Sequence, residues 1–384
     1  MHIAFLTPEF PHPQVAYAAG IGTSIKNLTT ALSNENIKVT VFVYGQKKQE
    51  ILEENGVKIH LIQNKKYKLF GWFFHRKYIQ NYINSVIEKE KIELLEAPDW
   101  TGITAFMNLD GPLVIRFHGS DTYFCHLENR KQKRKNFWFE KLAINQAKAF
   151  ISPTKFTGEV SKKLFNIKGK EIITIHNGLD LENFKNEFPK EFEKKLILYI
   201  GTLIRKKGVL ELPEIFSKVR NDIPDVKLVL IGTDSFDIKT GSKSTWELMK
   251  DLFTEEDLKN VNYLGKIPYN EVQTYIKKAN VCVFPTFAET LGMVTIESMA
   301  MQKAVVNSNI GWAQELIVDE ESGYLVYPSN HDLYSNRIIQ LLKDNSLCQE
   351  IGEKARIKVE SHFDINQLVK ENVEFYKKII NKKI

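Results

Sequence analysis

Thirteen short apolar runs, each closed by turn-forming residues, set the strongest constraint on how this chain can fold. Seven occur in the first half: HIAFLTP, KVTVFVYG, VKIHLI, IELLEAPD, LVIRFHGSD, AFISPT and EIITIHNGLD. After the polar stretch NEFPKEFEKK (186–195) the series restarts with LILYIGTL, VKLVLIGTD, VNYLGKIP, VCVFPTF, KAVVNSN and GYLVYP. Continuous apolar runs of this length suit strands buried on both faces of a parallel sheet. Between them lie segments of helical period, such as Thr23 to Leu32 with apolar Ile25, Leu28, Ala31 and Leu32, and Trp138 to Ala149. The βα alternation predicts an α/β chain of two Rossmann-like, doubly wound domains, residues 1–190 and 191–360, facing each other across a cleft. Residues 361–384 follow as an amphipathic helix packed on the body, with apolar positions 365, 368, 369, 373, 376, 379 and 380.

Composition agrees with a folded chain, at 43% hydrophobic and 26% charged residues. Three scattered cysteines without a CxxC suggest neither a disulfide framework nor a zinc site. The start MHIAFLTPEF has no basic leader, and no run of about 18 apolar residues occurs. A cytoplasmic chain is expected. The net charge of +6 is uneven: residues 1–190 hold 27 Lys+Arg against 19 Asp+Glu, residues 191–384 hold 26 against 28. The basic first half suits an anionic partner.

Doubly wound sheets bind ligands beyond the carboxyl ends of their strands, so the chemistry-bearing residues are sought there. In FPTFAETLGMVTIESMAM (284–301) a strand ends and a helix begins near Leu291. The backbone N–H groups around Thr290, Leu291, Gly292 and Met293 suit a diphosphate, while the carboxylates of Glu289 and Glu297 suit sugar and ribose hydroxyls. The alternative is a turn acid and a helix acid beside the macrodipole. In LILYIGTLIRKKG, Gly201 ends a strand and Arg205, Lys206 and Lys207 stand where a leaving diphosphate would be neutralised; a solvated basic turn is the alternative. In the first half, AAGIGTS places Gly20 and Gly22 before a helix, and LVIRFHGSD places His118 at a strand end, with Asp121 a candidate N-cap. A packed or capping role is the alternative for the histidine.

Taken in order, these stretches resemble the retaining GT-B glycosyltransferases of family 4: AETLGMVTIES as the Glu-x7-Glu motif, AGIG as the first loop, FHGSD, IHNGLD, GTLIRKKG as the lysine loop, and GWAQELIVDEESGYLVYP. The resemblance covers most of the chain. It implies a nucleotide-sugar co-substrate and no other cofactor, with Lys207 on the donor diphosphate, Glu297 on the ribose, Glu289 and the amides after it on the transferred sugar and phosphate, and His118 at the reacting centre. It also implies retention at the anomeric carbon. Thr202 departs from the arginine usual after the lysine-loop glycine, and Arg205 is the candidate to supply that charge.

No Asp-x-Asp and no cluster with metal-ligand spacing occurs, so the expectation is activity without a divalent metal. KKYKLFGWFFHRKY (65–78) and RKQKRKNFWFEK (130–141) combine cations with aromatics, which suits contact with an anionic membrane and a lipid-linked acceptor; core aromatics with solvated cations are the alternative. A nicotinamide dehydrogenase is disfavoured because AGIGTS lacks the third glycine of GxGxxG. A nucleotide-sugar epimerase, a phosphorylase and a non-catalytic donor-binding subunit share the same plan. No nucleic-acid motif is present.

Overall fold

A computed structural model describes residues 1–382. The chain divides into two compact units, Met1–Asp180 with Asp364–Ile384, and Leu181–Phe363. All thirteen apolar runs form strands.

In the first unit they are β1 (His2–Thr7), β2 (Lys38–Gln46), β4 (Val57–Gln63), β5 (Leu94–Pro98), β6 (Leu113–Arg116), β7 (Ala149–Ser152) and β8 (Glu171–Thr174). A further strand, β3 (Glu50–Glu54), pairs antiparallel with β4, and the sheet order is β3-β4-β2-β1-β5-β6-β7-β8. Every residue of β1, β5, β6 and β7 is buried, as two-sided packing requires. Strand β3, EILEE, was not foreseen. It is a half-exposed edge strand with no apolar run, set by the Asn55-Gly56 turn in which both residues have positive φ.

Helix α1 (Gly20–Asn34) buries Ile25, Leu28, Ala31 and Leu32, the four positions its period singled out. Helix α2 (Gly71–Glu90) begins at Phe70, held in left-handed backbone with φ 48°. Helix α3 (Asp121–Leu127) is capped by Ser120 rather than by Asp121: the Ser120 hydroxyl accepts from the Tyr123 N–H, and Asp121 is the first helical residue. Helix α4 (Arg134–Gln146) ends before the expected Ala149, which already belongs to β7.

The second unit has one sheet of order β11-β10-β9-β12-β13-β14, formed by β9 (Leu196–Ile200), β10 (Lys227–Ile231), β11 (Val261–Tyr263), β12 (Val281–Phe284), β13 (Ala304–Ser308) and β14 (Tyr324–Val326). Renumbered from β9 this is 3-2-1-4-5-6, the doubly wound order whose direction reverses between β9 and β12. In the first unit the same reversal lies between β1 and β5.

The boundary between units falls at Asp180/Leu181 rather than 190/191, because Leu181 and Phe184 are buried in the 3-10 turn Leu181–Phe184 that packs in the second unit, ahead of the polar stretch. The terminal helix is Ile365–Asn381, started by Asp364, within the expected 361–384, and the body it packs on is the first unit. Positions 383 and 384 lie outside the described residues. The helix buries Ile365, Leu368, Val369, Phe375, Tyr376 and Ile379 in the same core as β1, β2 and α1.

Its anchor is a buried polar network. Arg116 and Glu96, each 3% exposed, pair at 2.7 Å, the Tyr376 hydroxyl donates to Glu96 at 2.6 Å, and Arg116 donates to Asn372 at 2.6 Å. Burial opposes the Arg116 charge, but Glu96 and Tyr376 beside it raise its pKa overall. The chain leaves and re-enters this unit at one place, where the Ile365 N–H donates to the Leu179 carbonyl at 3.1 Å. Gly178 permits that approach, since a Cβ there would lie 2.7 Å from the Ile365 Cα.

Candidate active site

In the second unit the reversal between β9 and β12 brings together the two loops singled out in the sequence. The loop after β9 makes a 3-10 turn at Arg205–Lys207, and the loop after β12 runs from Pro285 to Gly292. Two backbone bonds tie them: the N–H groups of Phe287 and Ala288 both donate to the Lys206 carbonyl, at 2.9 and 3.2 Å. Gly208, with φ 66°, makes the fit possible, because a Cβ there would fall 1.6 Å from the Pro285 carbonyl oxygen. The role of Gly208 was not read from sequence.

The result is that the Lys207 ammonium and the Glu289 carboxylate meet as an ion pair. Burial pushes the Glu289 pKa up, but Lys207 and the Thr290 N–H outweigh it and hold the group below the usual carboxylate range. Helix Met293–Ala300 starts at Gly292, whose φ is 91° and which lies under Trp312. The geometry of a helix leaves the N–H groups of its first turn without intrahelical acceptors and gives that end a partial positive charge. Met293 opens that turn, two residues later than Leu291. The Leu291 side chain is in the core, so only its backbone can serve a ligand, and the Thr290 N–H already donates to Glu289 at 3.0 Å.

Two expected donor contacts have protein partners that the sequence did not suggest. Arg205 is clamped by Asp237 at 2.8 and 2.9 Å, so its charge is shared with a carboxylate instead of standing open in place of the arginine missing at Thr202. Asp237 is buried and held well below the carboxylate range, chiefly by Arg205. Glu297 is buried in helix Met293–Ala300 and accepts from the Tyr269 hydroxyl at 2.6 Å. Burial lifts its carboxyl to about 7, with the Tyr269 bond pulling the other way. Gly201 directly follows β9, and its N–H donates to the Ile231 carbonyl of the neighbouring strand at 2.9 Å.

In the first unit the loops beyond β1, β5 and β6 are neighbours by sheet order. The Gly22 N–H donates to Glu9 at 2.7 Å, so this first-loop amide is occupied by an internal carboxylate rather than open to a phosphate. Burial raises the Glu9 pKa, while the amides of Gly22, Ile21 and Ala19 lower it. Beyond β6, the His118 N–H donates to Asp99 at 2.8 Å. Asp99 is 1% exposed, and burial lifts its carboxyl to about 7. Its second oxygen has no hydrogen-bond partner. Burial, with Arg116 nearby, pushes the His118 imidazole down to about 3, so it is neutral at physiological pH. Glu140 accepts from the Asp121 and Thr122 N–H groups and fixes the start of α3 behind the histidine.

Among the described residues no group of three His, Cys, Asp or Glu could hold a metal ion, and no helix is long and apolar enough to cross a membrane.

The chain is similar to known proteins along most of its length. The family model "Glycosyl transferases group 1" matches residues 180–358, and "Glycosyltransferase Family 4" matches residues 18–183. An uncharacterized glycosyltransferase of Methanocaldococcus jannaschii is 24% identical over 361 residues, covering 91% of this chain and 92% of that protein. The capsular polysaccharide biosynthesis glycosyltransferase CapM of Staphylococcus aureus is 28% identical over 206 residues, 52% of each chain. Among solved structures, sucrose-phosphate synthase from Thermosynechococcus elongatus superposes over all of both chains with a TM-score of 0.80 at 18% identity. HepE of Anabaena, in complex with UDP-glucose, gives 0.73 at 19% identity over 98% of this chain and 100% of that one. With the two family models together taking in residues 18–358 and the double Rossmann-like fold matching end to end, the chain belongs to the GT-B glycosyltransferases of family 4.

Proposed function

We propose that this glycosyltransferase moves a hexose-type sugar from a UDP- or GDP-sugar to a glycan or lipid-linked acceptor of cell-surface polysaccharide or glycolipid synthesis, with retention and without a divalent metal. The observation that carries the reading is the Lys207–Glu289 pair at the strand-order reversal of the second unit, beside the start of helix Met293–Ala300. Lys207 and that helix start supply positive charge to a leaving diphosphate, in the role a metal has elsewhere. Glu289 accepts from hydroxyls of the transferred sugar, and Glu297 with Tyr269 from those of the ribose. His118, a neutral imidazole, is the proposed hydrogen-bonding contact to the sugar at the reacting centre. The departing phosphate is positioned to take the acceptor's proton, so the protein chiefly orients and neutralises. HepE, a fold neighbour, binds UDP and UDP-glucose, which favours a uridine donor.

The test is release of nucleoside diphosphate from a panel of UDP-, GDP- and ADP-sugars in EDTA, for wild type and Glu289→Ala, with membrane glycolipid as acceptor. Release from one donor that falls by roughly tenfold or more in the variant, about 1.4 kcal/mol of barrier, is expected. Turnover that needs added divalent metal, or that is unchanged in Glu289→Ala, refutes the assignment. An inverted product refutes the retaining mechanism.

A further inference from the structure

The two cation–aromatic segments of the first unit, about 60 residues apart in sequence, form one surface. Trp72 of α2 lies 5.0 Å from Phe139 of α4, ring centre to ring centre, and the Lys135 ammonium sits over both rings at 5.6 and 5.4 Å. Phe106 joins them at 5.3 Å from Trp72 and 5.6 Å from Phe139. This partly answers the sequence alternative: Phe73 and Phe139 are half-buried and build a platform, whereas other apolar side chains around it face solvent. Leu69 is 74% exposed, Phe70 65% and Trp138 60%, with Trp72 and Phe74 also exposed. Residues 63–70 are exposed without interruption. An exposed phenylalanine in left-handed backbone, as Phe70 is, has neither burial nor backbone preference to explain it.

Charge within these two stretches has one sign. Residues 64–87 hold five Lys or Arg and no Asp or Glu, and residues 129–139 hold another five and none, of which Arg130 is paired with Glu128 and Asp121. Lys65, Lys66, Lys68, Lys131, Lys133 and Arg134 are all exposed.

We propose that this face docks on an anionic lipid bilayer, with Leu69 and Phe70 entering the acyl boundary and the lysines lying on the headgroup phosphates. A nucleic acid would use the cations and stack on the rings, but it gives Leu69 no partner; a bilayer takes aliphatic and aromatic side chains alike. The surface stands independently of the catalytic assignment. Only its consequence for the acceptor, narrowed from glycan or lipid to one held in a bilayer, rests on the proposed reaction.

The experiment is co-sedimentation of the full chain with phosphatidylcholine vesicles, with and without about one-quarter phosphatidylglycerol. Wild type is compared with Leu69→Ser/Phe70→Ser and with Lys65→Gln/Lys66→Gln/Lys68→Gln. Circular dichroism with urea midpoints verifies that each variant folds. Binding to the anionic vesicles alone is expected, reduced roughly fivefold per lysine removed and at least about tenfold by the Leu69/Phe70 change. Absence of binding, equal binding to both vesicles, or binding indifferent to the Leu69/Phe70 change overturns the proposal. So does competition by single-stranded RNA that the Leu69/Phe70 change leaves intact, which would assign the face to nucleic acid. Donor turnover without vesicles, measured on the same samples, reports separately on the transferase reading.

Discussion

Replacing Glu289 by glutamine should tighten the binding of the bare nucleoside diphosphate while it impairs transfer. In the free protein the Glu289 carboxylate already holds the Lys207 ammonium, so a diphosphate that draws on Lys207 competes with an internal anion. The two side chains are 17% and 22% exposed, between the surface regime, where a pair is worth under about 1 kcal/mol, and the buried one, where breaking it costs about 3–5. Roughly 1–2 kcal/mol is therefore released, which is about 5- to 30-fold in Kd. The diphosphate carries no sugar, so it loses nothing with the carboxylate; the sugar nucleotide does, and the gain should shrink or reverse for it. Titration calorimetry with whichever of UDP and GDP the donor panel selects, on wild type, Glu289→Gln and Lys207→Met, measures both effects. Lys207→Met should weaken binding by about 1.5–3 kcal/mol, the range for hydrogen bonds to charged groups. Unchanged or weaker diphosphate binding by Glu289→Gln would refute the competition.

Two other predictions concern stability. Glu96→Gln leaves the Arg116 guanidinium buried without its carboxylate and should cost about 3–5 kcal/mol, whereas Tyr376→Phe removes one bond to that carboxylate and should cost about 1.5–3; urea unfolding measures both, and a Glu96→Gln loss no larger than that of Tyr376→Phe contradicts the network. Glu297, lifted by burial to about 7 from an ordinary 4.5, binds more protons folded than unfolded between those values, so its contribution is full below about 4.5 and declines as pH rises through 7, by up to about 1.4 kcal/mol per unit. The pH dependence of the urea midpoint should lose that decline in Glu297→Gln.

Periodicity carried most of the fold because strands buried on both faces leave an uninterrupted apolar trace, and β1, β6, β7, β9 and β12 all do. Strand β3 leaves none: an edge strand needs no apolar run, and only Asn55-Gly56 announces it. At the site, the residue types at strand ends were legible, but their partners were not. Asp237 stands 32 positions from Arg205, Tyr269 28 from Glu297 and Asp99 19 from His118. The Asp237 and Asp99 pairings depend on which strand ends become neighbours, and the Tyr269 pairing on how the helices after β11 and β12 pack; neither is encoded in a local pattern. Glu9 shows the same effect at shorter range, since a turn acid after β1 becomes the acceptor for the first amides of α1 only once the helix returns over its strand.

The junction of Leu179 with Ile365 also bears on how the molecule is made. Because the second unit is spliced into the first, between two chain crossings that touch, its whole sequence precedes the helix that finishes the first unit's core. On a ribosome the central unit can therefore complete while the N-terminal sheet still waits for Tyr376 to reach Glu96, and the unit that begins first is the one that closes last.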